Sequence, residues 1–245
     1  MKLSIISPTF NEVENVPRLV EQLEIVLHGI DHEILIVDDN SPDGTWAVAE
    51  AISLTNPRVR VLRRMHNPSL SAAVIDGFAA AEGDILACID SDLQHDPAVL
   101  PAMLEGLRKG SEIVVASRYR EGGGTERWSW IRRLASLVAT RMAHTFLGMT
   151  LTDPMSGYFM IRRNSFSQVH SRLSTKGFKI LLEIVAHLQP SSIAEVPYTF
   201  RARTAGESKL TSRVMFDYVL QLWRLSKTAR SKAGVLAPAE RIASD

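Results

Sequence analysis

The chain has 245 residues, of which 45% are hydrophobic, with a formal net charge of +1 and a single cysteine. That length can bury a substantial core, and it favours one α/β domain with an appended element over two independent domains. The near-neutral charge gives no electrostatic case for a nucleic-acid partner, and one thiol, Cys88, excludes an intrachain disulfide and suits a reducing compartment.

Met1-Lys2 runs straight into a strand-like segment, so no signal peptide is expected. Leu3 to Ser7 reads as a buried strand closed by Pro8-Thr9-Phe10-Asn11-Glu12, and apolar residues from Val13 to Leu27 recur at helical spacing. Glu33 to Val37 is a second buried strand. It ends in Asp38-Asp39-Asn40-Ser41-Pro42-Asp43-Gly44, where Asp43 can cap a helix over about 45–54. Val59 to Leu62 is a short third strand, and 69–81 is a helix rich in small residues.

Residues 85–90 read as a fourth strand that breaks into Asp90-Ser91-Asp92-Leu93-Gln94-His95-Asp96. In an extended chain Asp90, Asp92 and Gln94 point to one side, so three oxygen donors converge. Such a set suits a hard cation, Mg²⁺ or Mn²⁺, which completes its shell with waters and a substrate's phosphates. Pro97 opens a helix to about 107, and 113–116 is a fifth strand.

Strands alternating with helices imply parallel βαβ units in a sheet covered on both faces, with ligands beyond the carboxyl ends of the strands. The clusters at 8–12, 38–43, 90–96 and 117–120 all begin where strands end, and so line one rim. The chain lacks a Gly-x-Gly-x-x-Gly after the first strand and a Gly-Lys-Ser/Thr loop, which disfavours Rossmann dinucleotide binding and Walker-type phosphate binding.

Residues 121–125 read as a Gly-rich connector. A helix over 128–147 carries Ile131, Leu134, Ala135, Val138, Met142 and Phe146 on one stripe, with Arg132, Arg133, Arg141 and His144 elsewhere. It reads either as packed on the sheet or, with Trp128 and Trp130 at its start, as a basic amphipathic helix on a membrane surface; the two are compatible. Strands follow at 158–161 and 194–200, helices from 178 to about 188 and from 210 to about 230, and a frayed tail beyond 233. No stretch matches the roughly 20 apolar residues that span a bilayer. His66, His95 and His144 lack paired ligand spacing, so no zinc site is expected.

Pro8–Glu12, Val37–Thr45 and Asp90–His95 resemble, in order and spacing, the nucleotide-sugar motifs of inverting family-two glycosyltransferases with the GT-A fold. The segments 117–119, 153–159, 178–183 and 196–210 resemble those of dolichol-phosphate mannose synthases. The resemblance implies transfer of mannose from GDP-mannose to a polyprenyl (dolichyl-type) phosphate. It places the donor against Pro8, Phe10, Glu12, Val37 and Asp39, the metal at Asp90, Asp92 and Gln94, and Ser91 beside the diphosphate. Arg118, Arg203 and Lys209 are implied as phosphate contacts, with catalysis carried by Asp92 and these three cations. Phe10 stands where the family often has Tyr.

The implied organisation is one GT-A domain over 1–232, with a donor half at 1–120, an acceptor half at 121–232, and a flexible tail at 233–245. Peripheral attachment at the cytoplasmic face of a membrane is expected, with room for a separate anchoring subunit. A phosphate monoester has a second pKa of about 6 and is largely dianionic at neutral pH, so it can attack without a general base. Arg118 with Arg132 or Arg133 is expected to position it, and Asp96 and Asp153 are the acids whose removal tests the absence of a base. Three alternatives remain open: a UDP-sugar donor, a saccharide acceptor requiring a base, and a non-catalytic nucleotide-sugar-binding partner of a membrane complex.

Overall fold

The computed structural model describes residues 1–149, 151–175, 179–202 and 218–227. Five strands and four helices alternate through the first half: β1 (Leu3–Thr9), α1 (Asn15–Val26), β2 (His32–Asp38), α2 (Thr45–Thr55), β3 (Val59–Arg63), α3 (Leu70–Ala80), β4 (Ile85–Cys88), α4 (Leu100–Arg108) and β5 (Ile113–Ser117). The second half adds β6 (Gly124–Thr125), α5 (Trp130–Leu147), β7 (Phe159–Arg162), α6 (Arg163–Val169), α7 (Ile180–Leu188), β8 (Ile193–Pro197) and β9 (Thr199–Phe200). Residues 218–227 are helical and are called α8.

Seven strands form one sheet in the order β3-β2-β1-β4-β7-β5-β8, and β7 alone runs antiparallel to its neighbours β4 and β5. Strict alternation along the buried strands divides the core into two layers. Leu3, Ile5, Ile34, Ile36, Ile85, Ala87 and Val114 face α1 and α4. Ile6, Leu35, Val37, Leu86, Cys88 and Val115 face α3, α6 and α7. Apolar residues at both parities are what a doubly covered sheet requires.

The antiparallel strand matters for function. The parallel strands deliver their carboxyl ends to one rim, and β7 delivers its amino end there, because Cys88 and Val115 both pair with Phe159. The segment before β7, Asp153 to Tyr158, therefore lies between the ends of β4 and β5.

Three expectations need correction. The fourth strand stops at Cys88, so Asp90, Asp92 and Gln94 do not alternate along a strand; they sit in a turn with Leu93 at φ 59°. The Gly-rich connector contains β6, which pairs in parallel with β9, so the expected strand 194–200 is broken at Tyr198 into two. A short helix, α6, follows β7 directly where none was expected.

The two compatible readings of α5 divide between its faces. The helix packs through Ala139 and Ala143 on Tyr218, Leu222 and Leu225 of α8 and on Leu182 and Ala186 of α7, and the Tyr218 hydroxyl donates to the Ala139 carbonyl at 2.7 Å. Most of its apolar stripe is not laid on the sheet. Trp130, Ile131, Leu134, Leu137, Val138 and Phe146 are 41–73% exposed, and Trp223 of α8 is 51% exposed. Small residues on one face allow the close helix contact, and the large ones are left outside.

Candidate active site

One side of the rim is built from the ends of β1 and β2. Pro8 and Val37 are buried in these strands, paired in register, and the Asp39 amide donates to the Thr9 carbonyl. Asp38 lies wholly inside, where its carboxylate accepts from the Thr9 hydroxyl and from the Ser41 amide and hydroxyl, which fixes the loop. Asp43 accepts from the Thr45 amide and hydroxyl at the start of α2 and from the Val13 amide, so it ties the first two loops together as well as capping.

Asp39 forms an ion pair with Arg64 and accepts from the Ser69 amide at 2.8 Å. Burial raises its pKa, and the Arg64 charge opposes that rise. Glu12 is held by the Asn15 side chain at 2.6 Å, and Phe10 stays 43% exposed above the rim. An exposed ring over a polar floor is a surface on which a flat base can stack.

The turn after β4 is held by its own side chains. The Asp90 amide donates to His95 Nδ1 at 3.1 Å, and the Gln94 amide donates to Asp92 Oδ1 at 3.1 Å. The Ser91 hydroxyl donates to the Pro8 carbonyl at 3.2 Å, joining this turn to the end of β1. Gln94 Nε2 donates to the Arg201 carbonyl at 2.9 Å, while the Arg201 amide donates back to the Gln94 carbonyl. That pairing commits the nitrogen end of the amide and leaves its oxygen as the donor atom.

Two carboxylates and an amide oxygen are hard ligands, and the Asp90 side chain is still 34% exposed. The donor set therefore fits Mg²⁺ or Mn²⁺ with open positions for water and phosphate. Among the described residues no three His, Cys, Asp or Glu side chains gather as a metal cluster.

On the other side of Asp90 lies the β7 approach. Gly157 passes so close that a Cβ there would lie 3.4 and 3.5 Å from the two Asp90 carboxylate oxygens. Asp90, Ser156, Gly157 and Lys179 line a narrow cavity floored by Leu70, Val74, Cys88 and Ile180. Lys179 Nζ donates to the Met155 carbonyl at 2.9 Å. Part of the residue meets solvent, yet desolvation pushes its ammonium down to about 8, helped by the Arg118 charge and opposed by Asp90 and Asp153.

Arg118 follows β5 and is clamped by the fully buried Asp153. Its Nε and Nη2 each lie 2.7 Å from the carboxylate, and its amide donates to the same group at 3.1 Å. Burial alone would weaken the charge, but the carboxylate raises the arginine's pKa above the ordinary range. Thr152 and Asp153 are held in turn by Glu195 of β8. The Trp128 ring carries both the Arg118 and the Arg132 guanidinium, at 5.1 and 4.2 Å from its centroid. Arg133 reaches outward to the Thr125 carbonyl instead.

The structure thus brings Asp90, Arg118 and Arg132 to one side of the rim, and Pro8, Phe10, Glu12, Val37, Asp39 and Ser91 to the adjoining side. Arg203 and Lys209 lie outside the described residues. Asp96 accepts from Arg201 Nη2 at 2.6 Å and caps the turn at Ala98, and Asp153 is committed to Arg118, so neither of the two acids singled out from sequence is idle. Three further residues that matter here, His95, Gly157 and Lys179, lie inside the segments that carry the resemblance, which gave none of them a role; their packing around Asp90 does.

The glycosyl transferase family 2 model matches residues 4–169. A dolichol-phosphate mannosyltransferase of Pyrococcus furiosus is 42% identical over 93% of this chain, which spans 64% of that relative's length. One from Mycosarcoma maydis is 36% identical over 91% of this chain and 78% of its own. Among solved structures, glucosyl-3-phosphoglycerate synthase from Mycobacterium tuberculosis, in complex with Mn²⁺ and UDP, superposes with a TM-score of 0.63 at 20% identity, covering 94% of this chain and 77% of the other. That likeness is one of fold, the GT-A arrangement expected from the motifs. No described helix is long and apolar enough to cross a membrane. With its motif-bearing rim and two thirds of its length matched, the chain belongs to glycosyl transferase family 2.

Proposed function

We propose that this enzyme transfers mannose from GDP-mannose to a polyprenyl phosphate with inversion, while resting peripherally on the cytoplasmic face of a membrane. The observation that carries this reading is one continuous row at the rim: the Asp90 turn, then the Asp153–Tyr158 approach, then Arg118 and Arg132 around Trp128. The row ends at α5, whose large apolar side chains face outward. Donor, anionic acceptor and lipid surface follow one another in that order. The names of the relatives from Pyrococcus furiosus and Mycosarcoma maydis point the same way.

The donor base stacks on Phe10, with Glu12 and Asp39 at its polar edges. Asp90, Asp92 and Gln94 would hold the divalent cation, with Ser91 beside the diphosphate. When bound, the ion stabilises the charge that develops on the departing nucleoside diphosphate. Arg118 and Arg132 present guanidinium groups to the acceptor phosphate, Arg118 through the edge that Asp153 does not use. A phosphate oxygen attacks the anomeric carbon as the bond to the diphosphate breaks on the opposite side, which inverts the configuration. The acceptor carries no proton that must leave, and the nearby acids Asp96 and Asp153 are engaged elsewhere, so no general base is assigned. Arg203 and Lys209 belong to this reading as further phosphate contacts.

The test is transfer of radiolabelled sugar into the organic phase, using GDP-mannose and UDP-glucose as donors, a polyprenyl phosphate as acceptor, and Mg²⁺ or Mn²⁺. Label from GDP-mannose alone, lost on chelation, is expected. Label from UDP-glucose alone would change the donor, and transfer only to a free saccharide would overturn the acceptor.

A further inference from the structure

We propose that His95 is the positioning residue for the first carboxylate of the metal site, acting through both of its ring nitrogens. This role rests on the metal-dependent reaction proposed above. The Asp90 amide donates to Nδ1 at 3.1 Å, so that nitrogen carries a lone pair and the neutral ring has its proton on Nε2. Nε2 lies 3.7 Å from Asp90 Oδ2. One imidazole therefore spans its neighbour five residues back, meeting the main chain with one nitrogen and facing the carboxylate with the other.

The ring has no freedom to serve another partner. It is 2% exposed, stacks on Tyr158 at 5.0 Å and 19°, and meets the edges of Tyr198 and Phe200 at 5.7 and 5.5 Å. The Tyr158 hydroxyl is fixed in turn on the Asp96 carbonyl, just beyond the turn. These aromatic neighbours come from β9, its approach and the approach to β7, so the core of the second half sets the angle of the imidazole. Gly157 closes the other side, where an added Cβ would also touch His95 Cε1 at 3.7 Å.

The turn needs such a brace. Leu93 at its centre is left-handed, a conformation that costs a branched side chain of this size free energy, and β4 has already ended. A carboxylate on an unbraced turn loses orientational entropy when it takes a metal. One whose peptide is held and whose carboxylate faces an N–H at 3.7 Å has less of it to lose. Groups that orient a ligand in this way typically change metal affinity by roughly 10- to 100-fold when removed.

The experiment measures Mn²⁺ binding to the purified full chain by electron paramagnetic resonance of the free ion, with GDP present, for wild type, His95→Asn, His95→Phe and Asp92→Asn. GDP affinity without metal and the melting temperature are measured alongside. Asn keeps an acceptor near the Nδ1 position and lacks the second nitrogen, whereas Phe keeps the ring packing and lacks both. His95→Phe is expected to weaken Mn²⁺ binding by roughly 10- to 100-fold and His95→Asn by less, with metal-free GDP binding unchanged, a pattern that a purely structural defect would not give. If His95→Phe does not fold, His95→Asn decides: weakened Mn²⁺ binding supports the role, and wild-type binding overturns it. Folded variants that bind Mn²⁺ like wild type, beside an Asp92→Asn that does not, overturn the His95 role alone. Absence of GDP-assisted Mn²⁺ uptake in the wild type overturns the metal reading and this role with it.

Discussion

Replacing Asp153 with Asn tests whether this acid is a structural partner or a catalyst. The carboxylate is fully buried and accepts three hydrogen bonds from Arg118, two of them at 2.7 Å from the guanidinium. Breaking a buried pair by removing one charge typically costs about 3–5 kcal/mol, because the remaining ion is left uncompensated. Asn keeps one acceptor oxygen, so the lower end, about 3 kcal/mol, applies. In a chain of this length each kcal/mol lowers the melting temperature by about 2–4 °C, giving an expected fall of roughly 6–12 °C. Arg118→Met should destabilise comparably, and the double variant should fall short of the sum by about 1–3 kcal/mol, since no ion is then stranded. Calorimetric melting of the four proteins measures this cycle, with transfer assayed at saturating donor and acceptor. An Asp153→Asn protein that melts like wild type yet transfers nothing would refute the argument, because Asp153 would then be acting as the base that the phosphate acceptor is held not to need.

Gly83→Ala would set a Cβ 2.6 Å from the Lys2 carbonyl oxygen and 2.9 Å from the Ser4 amide, backbone atoms of β1 and its approach, so a loss of at least about 1–3 kcal/mol in urea unfolding is expected. Ile131→Glu with Leu134→Glu on the exposed face of α5 should leave the melting temperature unchanged. It should lower vesicle partitioning by roughly 10²- to 10⁴-fold at about 1.5–3 kcal/mol per lost side chain, and unchanged flotation would remove the membrane assignment from this helix. Lys179 has a folded pKa of about 8 against an ordinary 10.5, so the unfolded chain holds the proton more tightly and stability rises between those two pH values. Lys179→Met should therefore gain up to about 3 kcal/mol over wild type below pH 8, and that gain should shrink toward pH 10.5 in paired melts.

The sheet was legible in the sequence because its strands are short apolar runs cut off by Pro, Asp and Gly, and tertiary packing did not override those local signals. The antiparallel insertion of β7 was not legible, since direction is set by pairing with β4 and β5 rather than by composition. The β6–β9 ribbon, two residues a side, is too short to leave a pattern. On α5 the apolar stripe was correctly read and its surroundings left open. Periodicity says which residues share a face, whereas Ala139 and Ala143, the face that packs, are marked only by being small.

The candidate site divides in the same way. Oxygen ligands announce themselves by residue type, so Asp90, Asp92 and Gln94 could be named from sequence, whereas Arg118 was implied only by the resemblance. Their relation to one another could not, because it depends on contacts 35 or more residues apart, such as Arg118 with Asp153 and Gln94 with Arg201. Alternation along a strand does not describe Asp90, Asp92 and Gln94, which lie in a turn beyond the end of β4. A strand would have aimed Asp90 and Asp92 along one fixed direction, whereas the turn holds Asp92 by its carboxylate, through the Gln94 amide, and Asp90 by its main chain, through His95. Each carboxylate can therefore be perturbed separately. Carboxylates on separate braces can reorient one at a time, which would suit the uptake and release of a metal–diphosphate in the reaction proposed above.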